Sequence, residues 1–392
     1  IAGGTDESGE PLPPLGSTTA KFQPENEIRG LPAGRLMDTA VMDLINQIQL
    51  ENSGADVSAA ALFKNTSDLP AGDINYGNIF DIYKFDNTLY RVPVTGAELK
   101  AYMEWSAECY NQWKEGDINI SFDPEYPDYL YDMFAGVDYE IDLSQPKGER
   151  IKNVMFKGEP LKDDQTLTLA VNNYRYSSAL KSGGLVSGTK EWESSSSIRD
   201  MIVAYFAEHS PVAPTVDNNW KIVGVDLNED DPRRAELISL INDGLLDTPY
   251  AKSYNLADYE TLVAQAKANS VLVDGKAFKV DTAVSSGLGD TVFYRLRDLA
   301  VALNGTSAMF NVEWNGQVSI TKGSEYTATS LAPRPDDAPI DYANITIQVD
   351  GSAVDTSALL IGGNYYVSAE GLSALLGISA VETDGVLTIS TK

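Results

Sequence analysis

Two short motifs stand out by residue type. Tyr83-Lys84-Phe85-Asp86-Asn87 puts two aromatic rings, a cation and an amide within five positions. A ring there could stack on a planar ligand while Asn87 hydrogen-bonds the ligand's edge. The plainer account is a strand end with one ring in the core, and spacing alone favours it. Asn172-Asn173-Tyr174-Arg175 follows a strand-like run, and polar residues at a strand's exit are where folds of mixed class place ligand contacts. An Asx-rich turn explains the same residues equally well. Gly183-Gly184 could let backbone approach a ligand, or could belong to a plain loop. The run Asn228-Glu229-Asp230-Asp231 has a calcium loop's composition without its ligand spacing, so a solvated helix start is the better account.

The rarest chemical groups narrow the field. The single histidine, His209, precedes Ser210-Pro211 at a helix end, where a cation suits the helix dipole, and chemistry that leans on several imidazoles cannot be housed here. The single cysteine, Cys109, lies in an apolar stripe and reads as a buried, inert thiol; no internal disulfide or structural zinc site is possible. No catalytic or metal-ligating residue is assigned. With 29 Lys and Arg against 57 Asp and Glu, the net charge of −28 repels nucleic acid and anionic membrane surfaces. No apolar run reaches the ~20 residues of a membrane span. The chain opens with neither Met nor a signal-like segment, which is expected of a processed protein or an excised fragment.

Helical spacing from Arg35 to Gln49 predicts an amphipathic helix, and Thr95-Gly96-Ala97-Glu98 has the form of a capping box ahead of a second. Ser197 followed by Asp200 opens a third, and Asp231-Pro232 another that stops at Gly244. Between them, Val137 to Leu143, Ile151 to Phe156 and Thr166 to Val171 alternate as strands. A strand is expected before Tyr83. Helices and strands without strict alternation predict an α+β fold. From Val271 a repeat begins: Val273-Asp274-Gly275 recurs as Val349-Asp350-Gly351, each running on to an aromatic pair, a Leu-rich helix and a closing strand. The expected plan is a linker (1–14), a main domain (15–268) and a smaller unit (271–392) of two ββαβ-like halves, about 271–322 and 345–391, joined by the Pro/Asp connector Ala332 to Pro339.

Gly30-Leu31-Pro32, Gly54-Ala55-Asp56-Val57-Ser58, the Tyr83-to-Asn87 motif, Val94-Thr95-Gly96, Asp132 to Asp142 and Asn172-Asn173-Tyr174-Arg175 occur in this order. Together they resemble the C-terminal domain of 5′-nucleotidases, most closely the bifunctional 2′,3′-cyclic-nucleotide 2′-phosphodiesterase/3′-nucleotidases. The resemblance implies that this chain supplies nucleoside recognition, while an N-terminal metallophosphatase domain, expected elsewhere, holds two divalent metals. It implies that Phe85 and Tyr174 sandwich the base, with Asn87 beside it, Arg175 in the same motif, and Arg35 at a helix start. Ala60-Ala61-Leu62-Phe63 departs from the nucleotidase branch, where an arginine would face phosphate. The tail resembles copper amine oxidase N-terminal-like stalk repeats and implies no copper. The implied whole is part of a bacterial hydrolase, secreted or at the cell surface, with this chain alone inactive. The rival reading is a non-catalytic surface binding or adhesion module.

Overall fold

The computed structural model describes residues 13–268, 270–285, 290–327, 334, 338–383 and 386–391. The expected lead (1–14) and the connector Ala332 to Pro339 fall mostly outside them. Contacts divide the chain into two compact units: Ile1–Asp230 with Thr248–Ala257, and Asp231–Asp247 with Asp258–Lys392. The division falls elsewhere than the expected break near 268–271. The helices Pro232–Asn242 and Tyr259–Ala268 pack on each other and group with the second unit.

The fold is α+β. In the first unit, the strands Trp192–Ser197, Thr88–Thr95, Thr166–Asn172, Val57–Ala60 and Met133–Ala135 form a five-stranded sheet in that order. A four-stranded sheet holds Asp138–Asp142 and Ile151–Phe156 at its centre. The first helix is Ala40–Ser53, five residues later than its apolar spacing suggests. Thr39 is extended and takes the N-cap, so the preceding residues form only a 3₁₀ turn, Ala33–Arg35. Gly54, at φ 63°, ends the helix in the left-handed conformation. Its buried face (Val41, Leu44, Ile45, Ile48) packs on the sheet. Thr95 and Glu98 close the expected capping box on Gly96–Ser106, and Ser197 caps Ile198–His209. Gly136 is required where the chain turns beside Asp56, since a Cβ there would lie 2.3 Å from the Asp56 carbonyl oxygen.

The second unit corrects the expected repeat. Each half is βββαββ rather than ββαβ. The first runs Ser270–Val273, an interrupted second strand (Lys276–Lys279, Thr282–Ser285), Thr291–Arg295, helix Leu296–Leu303, Phe310–Trp314 and Val318–Lys322. The second runs Ile340–Val349, Ser352–Ile361, Asn364–Ser368, helix Ala369–Leu376, Ser379–Thr383 and Val386–Ser390. In both, the Asp-Gly pair takes positive φ at both residues and closes a hairpin (Asp274 49°, Gly275 89°; Asp350 50°, Gly351 80°).

The halves exchange strands. Ser270–Val273 of the first pairs in parallel with Val386–Ser390 of the second, and Ile340–Val349 of the second pairs in parallel with Val318–Lys322 of the first. Thr291–Arg295 and Asn364–Ser368 meet antiparallel between them. One continuous core draws on both copies, including Leu299, Leu303, Phe310, Leu372 and Leu375. Neither half can bury its apolar face alone.

Candidate functional site

Strand register brings the two aromatic motifs together. Thr88–Thr95 and Thr166–Asn172 are antiparallel neighbours, with Leu89 opposite Asn172. The motif that precedes one strand and the motif that follows the other therefore share one end of the sheet. Phe85 is 44% exposed and Tyr174 56% exposed, among the most exposed large apolar side chains of the first unit.

Each motif is held from beneath. The segment before Tyr83 is a helix, Tyr76–Ile82, not the expected strand: Asn75 and Asn78 form a capping box, which commits the chain to a helix over seven residues. Tyr83 then turns inward and is fully buried, while Phe85 turns out. Phe63 lies edge-on to both, 5.0 Å from Tyr83 and 4.9 Å from Phe85 between centroids, so it props the exposed ring. The Lys84 ammonium covers Phe85 at 4.9 Å. From the helix Ile198–His209, Arg199 donates to the Lys84 carbonyl at 2.8 Å and ion-pairs with Asp86. The Ile198 amide donates to the Asn87 carbonyl at 2.9 Å. Asn87 is half-buried, its backbone pinned and its side chain close to the buried Tyr83 hydroxyl.

On the other side, Asn172 caps the short turn Asn173–Arg175 by accepting from the Arg175 amide at 2.7 Å. That cap sends Tyr174 outward and Arg175 inward. Arg175, 3% exposed, meets Asp132 through Nε at 2.6 Å and Nη2 at 3.3 Å, and stands 5.1 Å over Trp105. Tyr102 donates to the same carboxylate at 2.6 Å. Burial acts to lower the Arg175 pKa, but Asp132 and then Tyr102 outweigh it and hold the guanidinium above its ordinary value. Arg35 is 0% exposed, donates to the Tyr250 hydroxyl and the Asp128 carbonyl at 2.9 Å each, and lies 4.3 Å over Tyr131. Both arginines therefore support the site from inside instead of lining it. The neighbouring Cys109 thiol is pushed up to about 12 by burial, with Arg35 and Arg150 opposing. It is inert at neutral pH.

Three buried polar atoms at the motifs have no hydrogen-bond partner of ordinary geometry: Tyr83 Oη, Asn173 Oδ1 and Arg175 Nη1. Burial raises the Tyr83 hydroxyl above its ordinary pKa, with the Asn87 side chain close enough to work against the shift.

Sequence reasoning passed over Phe63, Arg199 and Asp132. Phe63 was visible only as a departure from an expected arginine. Arg199 stands 113 positions from Asp86 and Asp132 stands 43 from Arg175, with no local pattern linking either pair. A further group, Asp38, Asp43 and Asp217, brings three carboxylates within 4.8 Å of one another. Burial, then the neighbouring carboxylates, push Asp38 up to about 7; burial first likewise pushes Asp43 up to about 6. His209 stacks on Tyr205 at 4.3 Å, away from any metal-ligand group among the described residues.

Residues 16–181 match the family model described as the 5′-nucleotidase C-terminal domain. This part of the chain is similar to the C-terminal domain of 5′-nucleotidases. Tyr83 to Asn87 and Asn172 to Arg175 both lie inside the matched span. Among curated relatives, a 2′,3′-cyclic-nucleotide 2′-phosphodiesterase/3′-nucleotidase of Yersinia enterocolitica is 33% identical over 208 residues, covering 45% of this chain and 31% of that protein. The trifunctional nucleotide phosphoesterase YfkN of Bacillus subtilis is 32% identical over 174 residues, covering 41% of this chain and 12% of its own. The chain thus spans less than a third of the length of either. A solved 5′-nucleotidase precursor from Thermus thermophilus superposes with a TM-score of 0.44 at 20% identity, over 55% of this chain and 40% of that one.

Proposed function

We propose that this chain provides nucleoside recognition for a bacterial nucleotide hydrolase acting on 2′,3′-cyclic nucleotides and 3′-nucleotides. The observation that carries the reading is the pairing of Leu89 with Asn172, which sets two exposed aromatic rings, Phe85 and Tyr174, at one sheet end inside the span that matches the family model. The activities named for the relatives supply the substrate class. Phe85 and Tyr174 would grip the base by stacking, with Asn87 fixing its orientation. Arg175 and Arg35 would hold the scaffold.

Hydrolysis would fall to a metallophosphatase domain outside these 392 residues, with two divalent metals of its own. The residues here do not fit such a centre: the one histidine is stacked on tyrosine, and the one carboxylate group among the described residues has no nitrogen ligand. Secretion or display at the cell surface accords with the acidic, cysteine-poor composition, and the second unit would serve as a stalk. No helix among the described residues is long and apolar enough to cross a membrane.

Ligand-detected NMR with adenosine, cytidine and 3′-AMP tests the recognition. Stacking without phosphate contacts gives an expected Kd of ~0.1–10 mM. A manganese-supplemented assay should show no turnover of cyclic or linear nucleotides. Absence of nucleoside binding at 10-fold above that range would favour a non-catalytic surface module. Turnover that disappears on substituting a residue of this chain would overturn the division of labour.

A further inference from the structure

The second unit holds a cavity of about 380 Å³ walled by Trp314 and Tyr365 and floored by Val312 and Leu360. Its volume is within the ~300–1,000 Å³ of small-molecule sites. Trp314 is 57% exposed, and its ring lies 6.3 Å from that of Tyr365, centroid to centroid, with planes 28° apart. Neither the core nor a hairpin turn explains so large an apolar ring at the surface.

Three polar side chains, Arg297, Glu313 and Asn364, face the same space. Arg297 makes no hydrogen bond or ion pair with any described residue. Glu313 accepts one hydrogen bond, from Asn311 Nδ2 at 2.9 Å, and Asn364 donates one, to the Gly362 carbonyl at 3.2 Å. A donor-only cation therefore stands near an acceptor-only carboxylate, with an amide of both kinds beside them.

We propose that this cavity binds a saccharide, its ring face stacked on Trp314 and Tyr365 and its hydroxyls met by Arg297, Glu313 and Asn364. Glu313 and Arg297 act on a charged ligand with opposite signs, so the pair favours neither an anion nor a cation. A hydroxyl donates and accepts at once, so vicinal hydroxyls satisfy all three groups. The C–H bonds of a sugar face carry the partial positive charge that an electron-rich aromatic face attracts. A lipid or an apolar peptide would leave the charged groups buried and unpaired.

Strand exchange makes the site. Trp314 and Arg297 come from the first repeat, and Tyr365 and Asn364 from the second. The hairpin of the second repeat that corresponds to the one bearing Trp314 has Glu382 and Thr383 at the matching strand end, with no ring. Among the described residues the unit thus carries this aromatic wall once, and its lining comes from both repeats.

The test is titration of the full chain with chitotriose, cellotriose, maltotriose and adenosine, followed by ¹H–¹⁵N NMR and tryptophan emission. At least one trisaccharide should bind with a Kd of ~0.1–10 mM and shift the Trp314 indole signal. Trp314→Ala should weaken it by about tenfold or more, and Arg297→Gln or Glu313→Gln by about threefold or more, with the thermal midpoint unchanged. Should Trp314→Ala misfold, Trp314→Phe and Arg297→Gln carry the test. Lack of any trisaccharide shift at 20 times the upper limit of that range overturns the proposal, as does binding that survives both Trp314→Ala and Arg297→Gln. Adenosine displacing a trisaccharide from the Trp314 site with higher affinity would also overturn it.

Discussion

Both units expose aromatic rings, but they treat the charges beside them in opposite ways. In the first, each arginine near Phe85 and Tyr174 is drawn inward and paired: Arg175 with Asp132, Arg199 with Asp86, Arg35 with Asp128 and Tyr250. In the second, Arg297 stays beside Trp314 without a partner among the described residues. A guanidinium that is buried and already paired offers little to a ligand, whereas an unpaired group at a cavity rim can be met by one. The first edge therefore presents ring faces on a paired, buried frame, and the second presents rings beside an arginine, a carboxylate and an amide.

The largest expected effect breaks the frame. Arg175→Ala leaves Asp132 buried beside Tyr102 and should cost about 3–5 kcal/mol in urea unfolding, with nucleoside binding lost through disorder of the Tyr174 turn. Adding Asp132→Ala should restore part of that stability. If Arg175→Ala unfolds at the same urea concentration as the parent chain, the pair is not what positions the turn.

Removing only the rings should separate binding from stability. Phe85→Ala or Tyr174→Ala should weaken every nucleoside by about 1–3 kcal/mol while moving stability by less than ~1 kcal/mol, because both rings are already exposed. Asn87→Ala should instead change the ranking of bases. Phe63→Ala, which removes the prop under Phe85, should weaken nucleosides by a smaller margin than Phe85→Ala itself. Uniform loss of stability across these variants would mean that the rings are core residues after all.

The smallest effect is on pH. Asp38 and Asp43 are raised to about 7 and about 6 in the folded state, above the ~3.9 of an unfolded aspartate. The folded chain thus holds protons that the unfolded chain releases. The stabilisation is fully present below about pH 4 and is lost as pH rises through 7. Stability contributed by this cluster should fall between about pH 4 and 7, and Asp38→Asn should flatten that slope. An unchanged slope in Asp38→Asn would remove the carboxylate cluster from the account.

Local signals were legible wherever a short stretch decides its own structure. Thr95 to Glu98, Ser197 and Asp231-Pro232 start helices because their side chains satisfy amides three residues away or less, and the Asp-Gly pairs close hairpins because their backbone can take positive φ. The helix before Tyr83 was not legible, because apolar Ile79 and Ile82 suit a strand as well and only the reciprocal Asn75–Asn78 cap decides.

Composition and motif order determined what chemistry the 392 residues could not host, and which rings and amides were worth watching. Tertiary structure decided which of neighbouring residues face outward: Tyr174 or Arg175, Phe85 or Tyr83. It also decided that two repeats become one unit by exchanging strands, which no one-dimensional periodicity encodes. The physical reason is the same in each case. Caps and turns are satisfied within a few residues, but a buried charge or an unpaired strand edge must find its partner anywhere in the chain, and Asp132, Asp86 and Val386–Ser390 are where these found theirs.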